Sequence, residues 1–483
     1  VTFEKLPIFV KGGTSMPMNP EMLYNEPKPN DPLTFDIYPH GESPLVRAGL
    51  VFNGGEMVEP LHGLADLAWQ AAEIPDALED APFRMAGNWS FSRGSNSHYF
   101  GLVGSSANLD GLVYLLKEAV TNETIEMKQS GKKYAEQRIK GLHKRRERVD
   151  SWAYMVPLSR LLPGHPSTDF MDEADYEALT KIKKKDLQAW HNRIYRPENA
   201  TLVLVGKVDP AQAEAYINTY FADWKSKSED APIPAPPGVS TLPERQIIVF
   251  DSENDTQTQV TLYCPLTPAS FDTLATGQVL GGTLSELAWV ALRETSGVSY
   301  GASAAARSMP GGANYLTMSS LVQNNAVALA TTTFLDIAGK ATQGNIDPDL
   351  VTVTKAQIAR GYTLGQQTSR GMMSRFLSPL SMGSDWMSLV TYPSGLAAIT
   401  VEDLKSLASP CAGHEIVSLK GPKSVITPQL DKAELTYEVF DWKAEADKLW
   451  MAYDPKGFEE EKERKAKLKD KEDKMKKEGG KEK

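Results

Sequence analysis

The sequence predicts an α+β fold made of two tandem homologous domains, each with helices packed on an antiparallel or mixed sheet. Three observations predict it: a set of short motifs that recurs at a near-constant offset, a proline-rich break between the two copies, and a strand–helix–strand order repeated in each. With 483 residues, 41% hydrophobic and 24% charged, the chain is long enough for two to four folding units with full cores.

The repeat begins with LADLAW at Leu64–Trp69, which returns as LSELAW at Leu284–Trp289. Ile182, Asp186 and Leu187 return at nearly the same offset as Ile399, Asp403 and Leu404. An alternating strand with Val46, Ala48, Leu50 and Phe52 on one face has a counterpart in Val260, Leu262 and Cys264. Each copy closes with a short helix (Asp186–Tyr195; Val401–Ala408), a loop and a strand (Leu202–Val205; Ile416–Leu419).

The boundary falls in Ser226–Glu244, a short stretch crowded with Pro232, Pro234, Pro236, Pro237 and Pro243. Such a segment is too rigid and too poor in donors for helix or central sheet. Before it, Asp209 and Pro210 offer an N-cap and an N1 proline for a helix running to Trp224; after it, Ile247–Phe250 opens the second copy as a buried strand. The organisation reads as an irregular lead-in over 1–32, a first domain over 33–225, a linker over 226–245, a second domain over 246–440 and a charged tail over 441–483.

Charge and composition exclude several classes of function. The net charge is −10, and residues 456–483 alone carry 12 Lys/Arg against 9 Asp/Glu, which leaves an acidic body unsuited to phosphate, so nucleic acid is not an expected partner. That terminal segment can bury no face and is expected as a solvated, frayed helix or a disordered extension. No apolar run is long enough for a transmembrane helix. The two cysteines, Cys264 and Cys411, are too few for a cysteine-based metal site; they either pair with each other or lie buried as thiols. Residue 1 is Val and no signal segment is visible, so the compartment stays open, a periplasmic or secreted location being favoured over a cytoplasmic one.

The chemistry concentrates in LGGTLSELAWVALRETSGVSYGASA, Leu280–Ala304. Gly281 and Gly282 are expected to end a turn. Leu284, Leu287, Ala288, Ala291 and Leu292 follow with the period of an amphipathic helix. Arg293 falls in its last turn, Gly297 breaks it and Tyr300 starts a strand, so two strong donors can converge on one point. Each residue also has an ordinary explanation, Arg as a complement to the helix dipole and Tyr as a strand former.

This segment resembles the second signature of the pitrilysin/insulinase-like zinc metallopeptidases, in which a Gly-Gly turn, a Ser-x-Leu helix, Leu-Arg-Glu and Gly-x-x-Tyr follow in this order. The resemblance spans roughly residues 33–440. It implies half of a clam-like peptidase chamber and roles for Arg293 and Tyr300 in binding the substrate carbonyl and stabilising the oxyanion, where preorganised donors contribute about 3–4 kcal/mol each. Catalytic members of the family carry His-x-x-Glu-His on the first long helix of the first domain. Reading on from Gly63–Ala65, the corresponding positions here are Asp66, Trp69 and Gln70, a poor substitute for two imidazoles and a base at a tetrahedral zinc. His62 lies just before the helix at the wrong spacing. The chain itself is therefore expected to hold no cofactor, with zinc in a partner.

The resemblance thus implies a zinc-free companion subunit, inert alone, of a heteromeric zinc metalloendopeptidase. It would act on peptides or unfolded segments beside a subunit of similar size bearing His-x-x-Glu-His. The alternatives are a structural core-type subunit and a peptide-binding module that does not cleave. Glu56 and Glu59 read as solvated loop acids, and Lys132–Lys133 and His143–Arg148 as an exposed helix face. Gly311–Gly312 reads as a turn.

Overall fold

A computed structural model describes residues 33–479, apart from 42, 62, 74–75, 85, 95, 122–123, 126–130, 166–167, 169–177, 228–243, 269, 310–311 and 383–386. The lead-in 1–32, His62, Gly311 and nearly all of the linker lie outside the described residues.

In the first half, β1 (Thr34–Pro39), β2 (Leu45–Asn53), β3 (Asn88–Arg93), β4 (Ser97–Ser105) and β5 (Ala200–Gly206) form one sheet in the order β1-β5-β2-β4-β3. β1 and β5 run parallel and the rest antiparallel. The helices are α1 (Leu64–Ala71), α2 (Leu109–Thr121), α3 (Gly131–Arg146), α4 (Val149–Leu161), α5 (Lys184–Ile194) and α6 (Pro210–Phe221). Asp209 caps α6 as expected, accepting from the Gln212 amide at 2.9 Å.

The second half repeats the plan with β6 (Gln246–Asp251), β7 (Gln257–Pro265), β8 (Ser299–Ser308), β9 (Asn314–Gln323), β10 (Ile416–Gly421) and an added edge strand, β11 (Glu438–Phe440). Their order, β8-β9-β7-β10-β6-β11, is that of the first sheet read from its other edge. The helices are α7 (Phe271–Trp289), α8 (Val327–Gln343), α9 (Pro348–Gly365), α10 (Ser369–Ser381), α11 (Met387–Ala398), α12 (Val401–Ala408), α13 (Lys423–Lys432), α14 (Trp442–Tyr453) and α15 (Pro455–Gly479).

The recurrent motifs have physical causes. Asp186 and Asp403 each accept the amide just before their helix, of Lys183 at 2.8 Å and Thr400 at 2.7 Å, while Leu187 and Leu404 are wholly buried. The continuous apolar strands are buried on both faces. In β5, Leu202 and Leu204 point into the first domain's own core, whereas Val203 and Val205 meet Met372, Met373 and Phe376 of α10, a helix of the second half. In β6, Ile247 and Val249 face their own core, whereas Ile248 and Phe250 meet Trp152 and Val156 of α4, a helix of the first half. Each half therefore lends a helix to cover the other's sheet. The lent helices begin at Val149 and Ser369, separated by the same offset as LADLAW and LSELAW.

Three readings are corrected. Gly281 and Gly282 do not end a turn; they lie inside α7. A Cβ on Gly281 would stand 3.0 Å from the Ala305 Cα, and one on Gly282 2.7 Å from Thr354 Cγ2, so both are glycine because β8 and α9 cross the helix closely. The run His143–Arg148 is not simply exposed: Arg146 is buried, and His143 packs against Trp450 with ring centroids 4.9 Å apart. Within the tail, Pro455–Gly479 form one helix, α15, whose first turns are anchored rather than solvated, with Phe458 buried, Trp450 edge-on to it, and Lys465 paired with Glu147 at 2.7 Å. Before it, α14 packs Trp442 and Leu449 beneath the second sheet. Of the two alternatives for the cysteines, the structure shows the pair: Cys264 of β7 is joined to Cys411.

Candidate functional site

The first candidate site is the face of α1 where the resemblance implies a metal. Gly63, at φ 91°, precedes the helix. Glu59 accepts from the Gly63 and Ala65 amides, both at 2.6 Å. Glu59 is therefore not a solvated loop acid but the cap of α1, and burial pushes its pKa up to about 7. Glu56 pairs with Arg93 at 3.3 Å.

Asp66 is buried between guanidiniums. It forms ion pairs with Arg93 and, at 3.4 Å, with Arg138, and accepts the Tyr134 hydroxyl at 2.7 Å. Trp69 packs on His98 and Phe100, both with ring centroids 5.1 Å away. His98 in turn shares a 2.6 Å hydrogen bond with Tyr195, and burial lowers its pKa to about 3, so it is neutral. Gln70 is exposed and does not join Asp66 and Trp69. These residues do not fit a catalytic zinc: one carboxylate is already engaged by two cations, and an indole fills the position of the base. Among the described residues no group of three or more His, Cys, Asp or Glu is placed to hold a metal ion.

The second candidate site is built by two irregularities facing each other. The helix begun by α7 widens into a π-helical turn over Val290–Thr295, a form concentrated at functional sites. Arg293 lies in that turn, and Gly297, at φ 64°, ends it. On β8 the register shifts between Ser299 and Ala302, and such a bulge re-aims a side chain. Ser299 holds the bulge, bonding Ser320 Oγ at 2.6 Å and the Leu321 carbonyl at 2.8 Å. Tyr300 is thereby turned outward and is 86% exposed.

The Arg293 guanidinium carbon lies 4.9 Å from the Tyr300 ring centroid and 5.4 Å from that of Trp289. The structure thus brings Arg293 and Tyr300 together and adds Trp289, which the sequence reading did not single out. The signal was present in the matched tryptophans of LADLAW and LSELAW. Among the described residues, Arg293 is ion-paired only with Glu294, 3.9 Å from its Nε on the surface, where such a pair contributes little. Beside Tyr300 a cleft of 530 Å³ runs over Gln257, Gln259, Ser303 and Ser319, a floor rich in neutral hydrogen-bonding groups. Chemically, the pair can direct donors from a fixed platform at an anion or a polarised carbonyl.

Two sheets related by repetition, a carboxylate on α1 enclosed by arginines and an Arg–Tyr pair in the second half define a two-domain α+β protein with the fold of peptidase M16 halves. A family model described as the peptidase M16 inactive domain matches residues 181–358. Similar solved structures include a protease from Helicobacter pylori, 18% identical, with a TM-score of 0.67 over 84% of this chain and 100% of that one. The peptidase M16 inactive domain from Pseudomonas fluorescens is 17% identical, with a TM-score of 0.67 over 84% and 99%. The periplasmic protease PqqL from Escherichia coli is 16% identical, with a TM-score of 0.67 over 83% of this chain and 46% of its own length. No curated protein matches the sequence.

Proposed function

We propose that this chain is the zinc-free companion of a catalytic M16 subunit, supplying Arg293 and Tyr300 to peptide hydrolysis at that partner's zinc. The observation that carries the reading is the convergence of an exposed Arg and an exposed Tyr, each aimed by a local departure from regular structure. A scaffold has no need of that arrangement. In this reading the partner, of similar size and bearing His-x-x-Glu-His, provides zinc and base. Tyr300 donates its hydroxyl proton in a hydrogen bond to the substrate carbonyl oxygen, and Arg293 holds the charge that develops there. The neutral cleft floor accommodates an extended peptide. The domain limits 33–225 and 246–440 belong to the same reading.

The periplasm is the proposed compartment: PqqL is periplasmic, and the Cys264–Cys411 bond suits an oxidising environment. Tyr300→Phe in the assembled complex tests the function. It should lower kcat/KM by about tenfold to a thousandfold with assembly intact. Unchanged cleavage would assign the chain instead to a structural or non-cleaving peptide-binding role.

A further inference from the structure

We propose that the second domain carries a separate pocket, centred on Arg375, that binds a carboxylate borne on an apolar or aromatic body, as at the C-terminal residue of a peptide. The pocket is a cavity of 460 Å³ between α7, α9, α10 and α11, within the ordinary size range of small-ligand sites. It involves neither Arg293 and Tyr300 nor the face of α1, and it does not depend on the companion-subunit reading.

The guanidinium is seated with care. Arg375 Cζ lies 3.6 Å from the Tyr362 ring centroid, and Nη2 donates to the Tyr362 carbonyl at 2.7 Å. A Cβ on Gly365 would stand 2.7 Å from Nη2, and one on Gly371 would collide with the Gly365 carbonyl, so two glycines clear the seat. Yet Nε is buried without a hydrogen-bond partner among the described residues, and none of the described Asp or Glu side chains pairs with this cation. A half-buried guanidinium that lines a cavity and is paired with none of the described carboxylates, in an otherwise acidic chain, is a site for an anion.

The walls define what the anion is attached to. Tyr362 and Tyr392 stack at 4.7 Å with their planes 16° apart, and Leu274, Ile358 and Leu389 complete an apolar side. Gln278 is engaged by the Tyr392 hydroxyl, leaving Ser374 and Ser378 as the small polar groups beside Arg375. One cation with two hydroxyls matches the single charge of a carboxylate, and the aromatic wall matches an organic body.

The test is titration of the full chain with N-acetyl-phenylalanine, a short peptide ending in Phe, and 3-phenylpropionate, each beside its amide. Each acid should bind at least about tenfold more tightly than its amide, the difference expected of one charge-assisted pair. Arg375→Gln should abolish that preference. Gly361→Leu, placed where a Cβ meets nothing within 4 Å, should block binding while keeping the fold. A peptide that outbinds 3-phenylpropionate assigns the pocket to chain ends; the reverse order assigns it to free organic acids, with the same chemistry. No binding at about 10 mM, equal binding of acid and amide, or full binding by both variants would overturn the proposal.

Discussion

Asp66→Asn isolates the buried charge network on the face of α1 where the resemblance implies a metal. The substitution keeps shape and an acceptor for the Tyr134 hydroxyl but removes the charge that Arg93 and Arg138 share. Breaking a buried ion pair from one side costs about 3–5 kcal/mol. The two arginines are 25% and 27% exposed, and Arg93 keeps Glu56 at 3.3 Å, so part of the loss is recovered. The expected cost is about 2–3 kcal/mol. For a domain of this size that lowers Tm by about 4–12 °C, read by calorimetry and checked by urea unfolding. A double variant with Arg138→Met should lose less than the sum of the singles, because it removes an unpaired cation. A change within about 0.5 kcal/mol for Asp66→Asn would refute the view that this network stabilises the first domain.

Cys264→Ala with Cys411→Ala opens a bond between residues 147 apart in sequence and should destabilise the second domain by about 3–5 kcal/mol, measured as a Tm difference against the oxidised protein. Glu59 has its folded pKa raised to about 7 from an ordinary 4.5, so its neutral form is favoured by folding. Its contribution is complete below pH 4.5 and is lost as pH rises through about 7, amounting to about 1–3 kcal/mol. Glu59→Gln should flatten stability against pH across that window; an unchanged profile would show that another group titrates there.

The duplicated plan was legible because repetition leaves the same residues under the same demands. Asp186 and Asp403 cap equivalent helices, and Leu187 and Leu404 fill equivalent cores. What escaped was set by pairings distant in sequence. Gly281 and Gly282 resemble turn residues until β8 is seen to cross the helix beside Ala305. Glu59 resembles a loop acid until the first turn of α1 closes over it. Arg146 looks exposed in a run of charge until the C-terminal helices pack on α3. The convergence of Arg293 and Tyr300 was expected, whereas its means was hidden: neither a π turn nor a bulge has a reliable sequence signature.

The companion-subunit role is decided by isolating this chain from its native extract and analysing what co-elutes for protein and metal. A partner of similar size bearing His-x-x-Glu-His and about one zinc per complex are expected, with peptide cleavage only in the assembled form. A metal-free homodimer without such a partner would contradict it.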